Sequence, residues 1–125
     1  MVSGRRRVLV VEDDDLLHRL IGDVLTEAGY EVRMALDGEA GLAALRDWRP
    51  DAIVLDVVLP DVDAPAFRAL QLDAAGAADV PVLLMSATRR DQLEALARDT
   101  GAAAWLAKPF DVDDLVTAVH RLTAR

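Results

Sequence analysis

No cysteine occurs among the 125 residues. Disulfide bridges and thiolate chemistry are therefore excluded, and a reducing compartment is compatible, so the cytoplasm is the expected location. No apolar run approaches the length that crosses a bilayer, so no membrane contact is expected. Met1–Leu9 lacks the pattern of a signal peptide, because Arg5, Arg6 and Arg7 run directly into a short strand pattern. Positive charge is also in deficit. Fourteen Lys and Arg face 22 Asp and Glu, a net charge of −8, which opposes binding to a nucleic-acid backbone. Repeats, linkers and low-complexity tracts are missing too, so one domain is expected over 1–125, with an N-terminal arm at 1–6 and a core from about 7 to 122. Apolar residues make up 53 %, well above what a disordered chain carries.

What is present is organised around Asp51-Ala52-Ile53-Val54-Leu55-Asp56-Val57-Val58-Leu59-Pro60. The apolar run from Ala52 to Leu55 shows no alternation, as expected of a central strand in a parallel sheet covered on both faces. Pro60 cannot donate to a ladder and ends the element. Asp56 thus sits at the carboxyl end of a buried strand, the rim where open α/β sheets bind ligands.

Similar runs flank it. Arg7 to Val11 ends in Glu12-Asp13-Asp14-Asp15, and Asp14 or Asp15 can cap a helix with Leu17, Leu20, Ile21, Val24, Leu25 and Ala28 on one face. Gly29 stops that helix. Glu31 to Ala35 reads as a strand. Asp37-Gly38 opens a helix to about Asp47, with Ala40, Leu42, Ala43 and Leu45 inside, and Trp48-Arg49-Pro50 closes it. After the turn 61–65, a helix is expected from Ala66 to Asp73 and a small-residue loop from Ala74 to Asp79. Val80 to Met85 is a buried run ending in Ser86-Ala87-Thr88. A helix from Arg89 to Asp99 places Leu93, Leu96 and Ala97 inward, and Gly101 ends it. A strand at Ala103 to Leu106 leads to Lys108-Pro109-Phe110. The last helix, Asp111 to Leu122, is capped by Asp111 and has Leu115, Val116, Val119 and Leu122 on its apolar side. Five strands alternating with five helices call for an α/β fold, a doubly wound parallel sheet with right-handed crossovers.

The carboxyl ends of these strands deliver Glu12 and Asp13, Asp56, Ser86 and Lys108 to one rim. If the first and third strands are neighbours, three carboxylates meet. Two like charges about 4 Å apart repel by roughly 4 kcal/mol at an effective dielectric near 20. Such a cluster calls for a cation, for which oxygen ligands alone suit Mg²⁺; the alternative is raised carboxylate pKa values with no metal. A carboxylate can also act as a nucleophile. Phosphoryl transfer to Asp56 would use the metal and Lys108 to neutralise the equatorial oxygens and Ser86 to hydrogen-bond one of them.

Val8–Asp15, Pro50–Pro60, Val82–Ala87 and Trp105–Phe110 together resemble the receiver domain of bacterial two-component response regulators, over about Arg7 to Leu122. The resemblance implies the flavodoxin-like strand order 2-1-3-4-5. It implies phosphorylation of Asp56 by a sensor histidine kinase or phosphotransfer protein. Mg²⁺ would be held by Asp13, Asp56, the Val58 carbonyl and, through water, Glu12. Ser86 and Trp105 fall on the family's switch pair, which would alter the surface made by the Arg89–Asp99 helix, the fifth strand and the last helix. Lys108-Pro109 falls on its lysine and cis-proline. The chain would be a signalling domain rather than an enzyme, supporting slow hydrolysis of its own aspartyl phosphate, with Val58 and Thr88 shaping water access. Its output would pass to an effector domain or partner protein.

Departures from the family pattern are Glu12 for the commoner aspartate, Ala64-Pro65 where glycine is usual, and Trp105 for a smaller aromatic. Ala103 and Ala104 replace acids often found on a paired dimer face, so a monomer or weak phosphorylation-dependent dimer is expected. A phosphatase of the haloacid-dehalogenase type needs an Asp-x-Asp at a strand end. Asp56-Val57-Val58 lacks the second acid, and Asp61-Val62-Asp63 follows a proline, so that class is rejected. The remaining alternative is a degenerate receiver acting as an unphosphorylated interaction module. His18 and His120 read as helix-surface residues, Trp48 as a partly covered helix end, and Asp111, Asp113 and Asp114 as cap and dipole residues.

Overall fold

Apolar strand runs and amphipathic helices alternate along the chain, and the fold follows that alternation. The computed structural model describes residues 5–74 and 77–124; residues 1–4 of the expected arm, 75–76 of the expected loop, and 125 lie outside the described residues. The strands are β1 (Arg7–Val11), β2 (Glu31–Ala35), β3 (Ala52–Asp56), β4 (Val82–Ser86) and β5 (Ala104–Ala107). The helices between and after them are α1 (Asp15–Glu27), α2 (Gly38–Asp47), α3 (Ala64–Asp73), α4 (Arg90–Thr100) and α5 (Val112–Thr123). All pairings are parallel, in the order β2-β1-β3-β4-β5. This is the expected flavodoxin-like order.

Every residue of β3 and of β4 is buried. Alternate side chains of these strands feed two cores. Leu9, Val11, Ile53, Leu55 and Leu84 pack with Leu45, Phe67 and Leu93 from α2, α3 and α4. Val8, Val10, Val54, Leu83 and Met85 pack with Ile21 and Leu25 of α1 and Leu115 and Val119 of α5. Because β1 neighbours β3, with Val11 opposite Leu55, Glu12 and Asp13 emerge beside Asp56.

Several expected details differ. The inward face of α2 is Gly38, Gly41, Ala44 and Leu45, while Ala40 and Ala43 are exposed. The helix lies too close to the sheet for a side chain at its centre: a Cβ on Gly41 would sit 2.9 Å from Val11 Cγ2 and 3.1 Å from Phe67 Cε2. On α1, Ile21 and Leu25 are buried, whereas Leu20 is 47 % exposed and Ala28 lies past the helix end. Helix α3 starts two residues early, since Asp63 accepts a hydrogen bond from Ala66 N at 2.9 Å and Pro65 fits the first turn. Asp111 precedes α5, but its carboxylate makes no capping bond; its backbone carbonyl accepts from Asp114 N and Leu115 N. Strand β4 starts two residues later than read, and β4 and β5 each end one residue later. Two helix ends behave as read. Asp14 accepts from Leu17 N at 3.0 Å, and Gly101 ends α4 at φ 73°, in the left-handed region.

Candidate functional site

Glu12, Asp13 and Asp56 leave β1 and β3 at the same rim, and one carboxylate oxygen from each lies within 4.8 Å of the others. Glu12 and Asp56 are buried, 1 % and 7 % exposed, while Asp13 is exposed. Backbone bonds hold both strands in place: Glu12 N donates to Ala35 O at 3.0 Å and Val57 N to Met85 O at 3.0 Å. The electrostatic consequence falls on Glu12. Burial first, then the Asp56 carboxylate beside it, push the Glu12 pKa up to about 7, against the pull of Lys108.

Lys108 arrives from the end of β5. Its Nζ lies 3.1 Å from Glu12 Oε2 and 3.4 Å from Asp56 Oδ2, bridging the two buried acids. Lys108 N donates to Ser86 O at 2.8 Å, so β4 sets the start of the lysine's reach. The Lys108–Pro109 peptide bond is cis.

Asp56 Oδ1 accepts a hydrogen bond from Val58 N at 3.2 Å. Val58 forms an isolated antiparallel bridge with Asp63, flanked by Ala64 N to Val57 O and Leu59 N to Val62 O. In that type of pair the bridged residues turn their own N–H and C=O away from each other. The Val58 carbonyl therefore shares the side of its N–H, the side of Asp56.

Ser86 is buried at the end of β4, 4 % exposed. Its hydroxyl donates to Thr88 Oγ1 at 2.8 Å and accepts from Thr88 N at 3.0 Å. The hydroxyl is thus occupied by its own turn. Trp105, on β5, is half-buried against the core, and the Arg90 guanidinium lies 5.4 Å from its ring centre.

All the expected site residues, Glu12, Asp13, Asp56, Val58, Ser86 and Lys108, stand at this rim, with Trp105 one strand away. Reading the sequence missed Thr88 as the partner of Ser86. Asp61 was also missed: it reaches back to α2, as described below. His18 departs from the helix-surface expectation, being half-buried with its Nε2 lacking a hydrogen-bond partner, and burial lowers its pKa. His120 is exposed, with Nδ1 3.4 Å from Tyr30 Oη. Trp48 is more covered than read, 9 % exposed, under Arg7 and Arg33 at 5.4 and 5.3 Å.

A family model described as the response regulator receiver domain matches residues 8–120. RpaA of Synechocystis sp. PCC 6803, a DNA-binding dual master transcriptional regulator, is 38 % identical over 120 residues, covering 95 % of this chain and 49 % of the relative. The chain spans about half the length of the curated relatives it matches. Among solved structures, a protein of Chloroflexus aurantiacus J-10-fl described as a response regulator superposes with a TM-score of 0.88 at 33 % identity, covering 97 % of this chain and 99 % of that one. The chemotaxis protein CheY4 of Vibrio cholerae gives 0.87 at 28 %, covering 95 % and 99 %. Matched over 8–120, its acids and lysine gathered at the end of a 2-1-3-4-5 sheet, the chain belongs to the receiver domains of two-component response regulators.

Proposed function

We propose that this domain accepts a phosphoryl group on Asp56 from a phosphohistidine of a sensor histidine kinase or phosphotransfer protein. The observation that carries the reading is the meeting of three carboxylates within 4.8 Å, with Lys108 Nζ the only cation among the described residues bridging Glu12 and Asp56. Burial first and the Asp56 carboxylate second raise the Glu12 pKa, so ionising the whole cluster calls for more positive charge. Donors that are all oxygen fit Mg²⁺; Glu12, through water, Asp13, Asp56 and the Val58 carbonyl would hold it. When bound, the ion supplies positive charge against the acids and the incoming phosphoryl oxygens.

The chain's own residues account for the rest. An Asp56 carboxylate oxygen attacks phosphorus, the P–N bond breaks, and the bond's electron pair leaves with the donor imidazole. Lys108 stays paired to Asp56 and neutralises an oxygen of the transferred group. Ser86 reaches another oxygen only by giving up Thr88, so the hydroxyl changes partner as the carboxylate becomes an acyl phosphate. That exchange would be the first movement of a switch running through Trp105 to the face of α4, β5 and α5.

Hydrolysis of the aspartyl phosphate is proposed to be slow, and the domain is then a switch rather than an enzyme. Val58 is 67 % exposed beside the site and its apolar side chain cannot orient a water. Val58→Asn should shorten the phosphoryl lifetime several-fold; an unchanged decay rate would count against this. A donor must also dock. An apolar hollow of about 360 Å³ lined by Leu17, Leu20, Ala87, Lys108, Pro109 and Phe110 adjoins the site, and Leu16 beside it is 81 % exposed. Because Lys108 forms part of its wall, an occupant there lies next to Asp56, which suits the histidine-bearing helix of a phosphodonor.

The test is direct. Acetyl phosphate with Mg²⁺ should add one acid-labile phosphoryl group, on Asp56 by mass spectrometry, and none to Asp56→Asn. A group found on His18, or retained in Asp56→Asn, would overturn the assignment. Failure of every phosphodonor would instead favour an unphosphorylated interaction module.

A further inference from the structure

The connection from β3 to α3 is a small hairpin rather than a plain loop. Ala64 N donates to Val57 O at 3.0 Å, Val58 bridges Asp63, and Leu59 N donates to Val62 O at 3.2 Å. Pro60 and Asp61 form its tip. A hairpin this short is marginal on its own. Val57 and Leu59 anchor its base in the core, while Val58 between them is 67 % exposed. The tip beyond them is tied down at its far end. Asp61 Oδ1 accepts from Gly38 N at 2.8 Å and Oδ2 from Glu39 N at 2.9 Å.

These two amides open α2. Asp37 takes a third, from Ala40 N at 2.8 Å, so two carboxylates satisfy three of the four N–H groups a helix start leaves unpaired. The bonds from Gly38 and Glu39 hold the Asp61 carboxyl below its usual range although it is exposed. Gly38 makes the approach possible, because a Cβ there would collide with Val62 Cγ2.

We propose that Asp61 is a positioning residue for the cation site. By clamping the hairpin tip to α2 it fixes the Val58 carbonyl, and cation binding is thereby coupled to order in the first turn of α2. The inference rests on the Mg²⁺ reading above. Asp61 touches no proposed ligand; it acts through Leu59 and Pro60 of the hairpin. Coupling of this kind is reciprocal, so it is readable from both ends.

Mg²⁺ titration calorimetry on the parent, Asp61→Ala and Asp37→Ala reads the first end. Asp61→Ala should weaken Mg²⁺ by roughly tenfold, the low end for groups that orient metal ligands. Asp37→Ala removes a charge and a cap from the same helix start without touching the hairpin, and should stay within twofold. Asp61→Asn, which keeps one acceptor, should fall between. Amide hydrogen exchange reads the other end: Mg²⁺ should slow exchange at Gly38 and Glu39 in the parent and leave them unaffected in Asp61→Ala. Equal Mg²⁺ affinity in parent and Asp61→Ala, equal loss in Asp37→Ala, or exchange in the parent indifferent to Mg²⁺ would each overturn the clamp while leaving the Mg²⁺ site standing. A parent that binds no Mg²⁺ overturns the site itself, and the clamp with it.

Discussion

The two edges of the sheet treat charge in opposite ways. At the amino edge each polar group described below meets a complement. Arg7 N donates to Asp51 Oδ2 at 2.8 Å, Arg7 Nη1 to Trp48 O at 2.6 Å, and Arg7 pairs with Glu31 at 3.6 Å. Tyr30 Oη lies 3.3 Å from Thr123 Oγ1, which itself donates to Val119 O at 2.9 Å. At the carboxyl edge, two buried acids share a single amine, and the exposed Asp13 carboxylate lies beside them. The amino edge is satisfied and stabilises the fold. The carboxyl edge is left short of positive charge, and a deficit that local packing could have avoided is characteristic of a working site.

Substitutions at each edge should therefore fail in different ways, and the largest effects come first. Asp56→Asn should abolish phosphorylation by acetyl phosphate yet leave the unfolding free energy equal or higher, because one of two adjoining buried acids becomes neutral. Trp48→Ala should do the reverse. It removes a buried aromatic and its two arginine contacts, at a cost of about 3 kcal/mol, while phosphorylation of the folded fraction persists. Urea denaturation alongside phosphate incorporation checks both. A large loss of stability in Asp56→Asn would erase the contrast between the edges.

Next in size is the pH response of the metal-free protein. Glu12 has its folded pKa raised from 4.5 to about 7, so between those values the folded state holds a proton that the unfolded state has lost. Its contribution is favourable below pH 4.5, declines as pH rises through that window, and is flat above about 7. The decline is about 3 kcal/mol at most. In EDTA, the stability difference between parent and Glu12→Gln should open across this window. Millimolar Mg²⁺, binding only the folded state, should narrow it. A parent whose stability rises from pH 5 to pH 7 as steeply as that of Glu12→Gln would mean that Glu12 is ionised throughout.

Much of this contrast was legible before any coordinates. Strand ends mark the rim, and the unbroken apolar runs at β1, β3 and β4 gave those ends within one residue at Asp56 and Ser86. Less legible were features set by distance of approach. Ala40 and Ala43 fit a helical face as well as Gly41 and Ala44 do; only the closeness of Val11 and Phe67 selects the glycine. Asp61 looked like a turn residue because its partners, Gly38 and Glu39, lie 23 and 22 positions away. Ser86 announced a hydrogen-bond donor to a phosphoryl oxygen, but its engagement with Thr88 is a local hydroxyl pairing that residue type alone does not specify. Position on the rim follows from periodicity, whereas the resting partner of each side chain follows from packing.

A smaller effect should separate docking from chemistry on the rim. Leu16→Asp and Leu20→Asp place charge beside the apolar hollow but away from the carboxylates. Transfer from a cognate kinase should slow about tenfold, the equivalent of one lost apolar anchor, with acetyl phosphate labelling unchanged. Equal slowing with both donors would place these leucines in the chemistry rather than the docking.

The smallest expected signal tests whether the rim speaks to the rest of the molecule. Ser86 sits one residue beyond Met85, the β4 partner of Leu106, and Leu84 pairs with Trp105 across β4 and β5. If the Ser86 hydroxyl leaves Thr88 for a phosphoryl oxygen as proposed, the packing beside Trp105 should change. The ring can then turn inward, giving up the Arg90 guanidinium at 5.4 Å. Against this stands the size of the ring and its existing seat on the core: a tryptophan already packed has little to gain by moving. Trp48 would obscure the readout, so emission from Trp105 is best followed in Trp48→Phe. Beryllofluoride, a phosphoryl mimic, should shift that emission, and the shift should vanish when Ser86→Ala is added. Arg90→Ala removes the cation beside the ring, so it should move resting emission part of the way toward the beryllofluoride value. Identical beryllofluoride responses with and without the Ser86 hydroxyl would uncouple the two residues, and the charge deficit at the carboxyl edge would then act on phosphate alone.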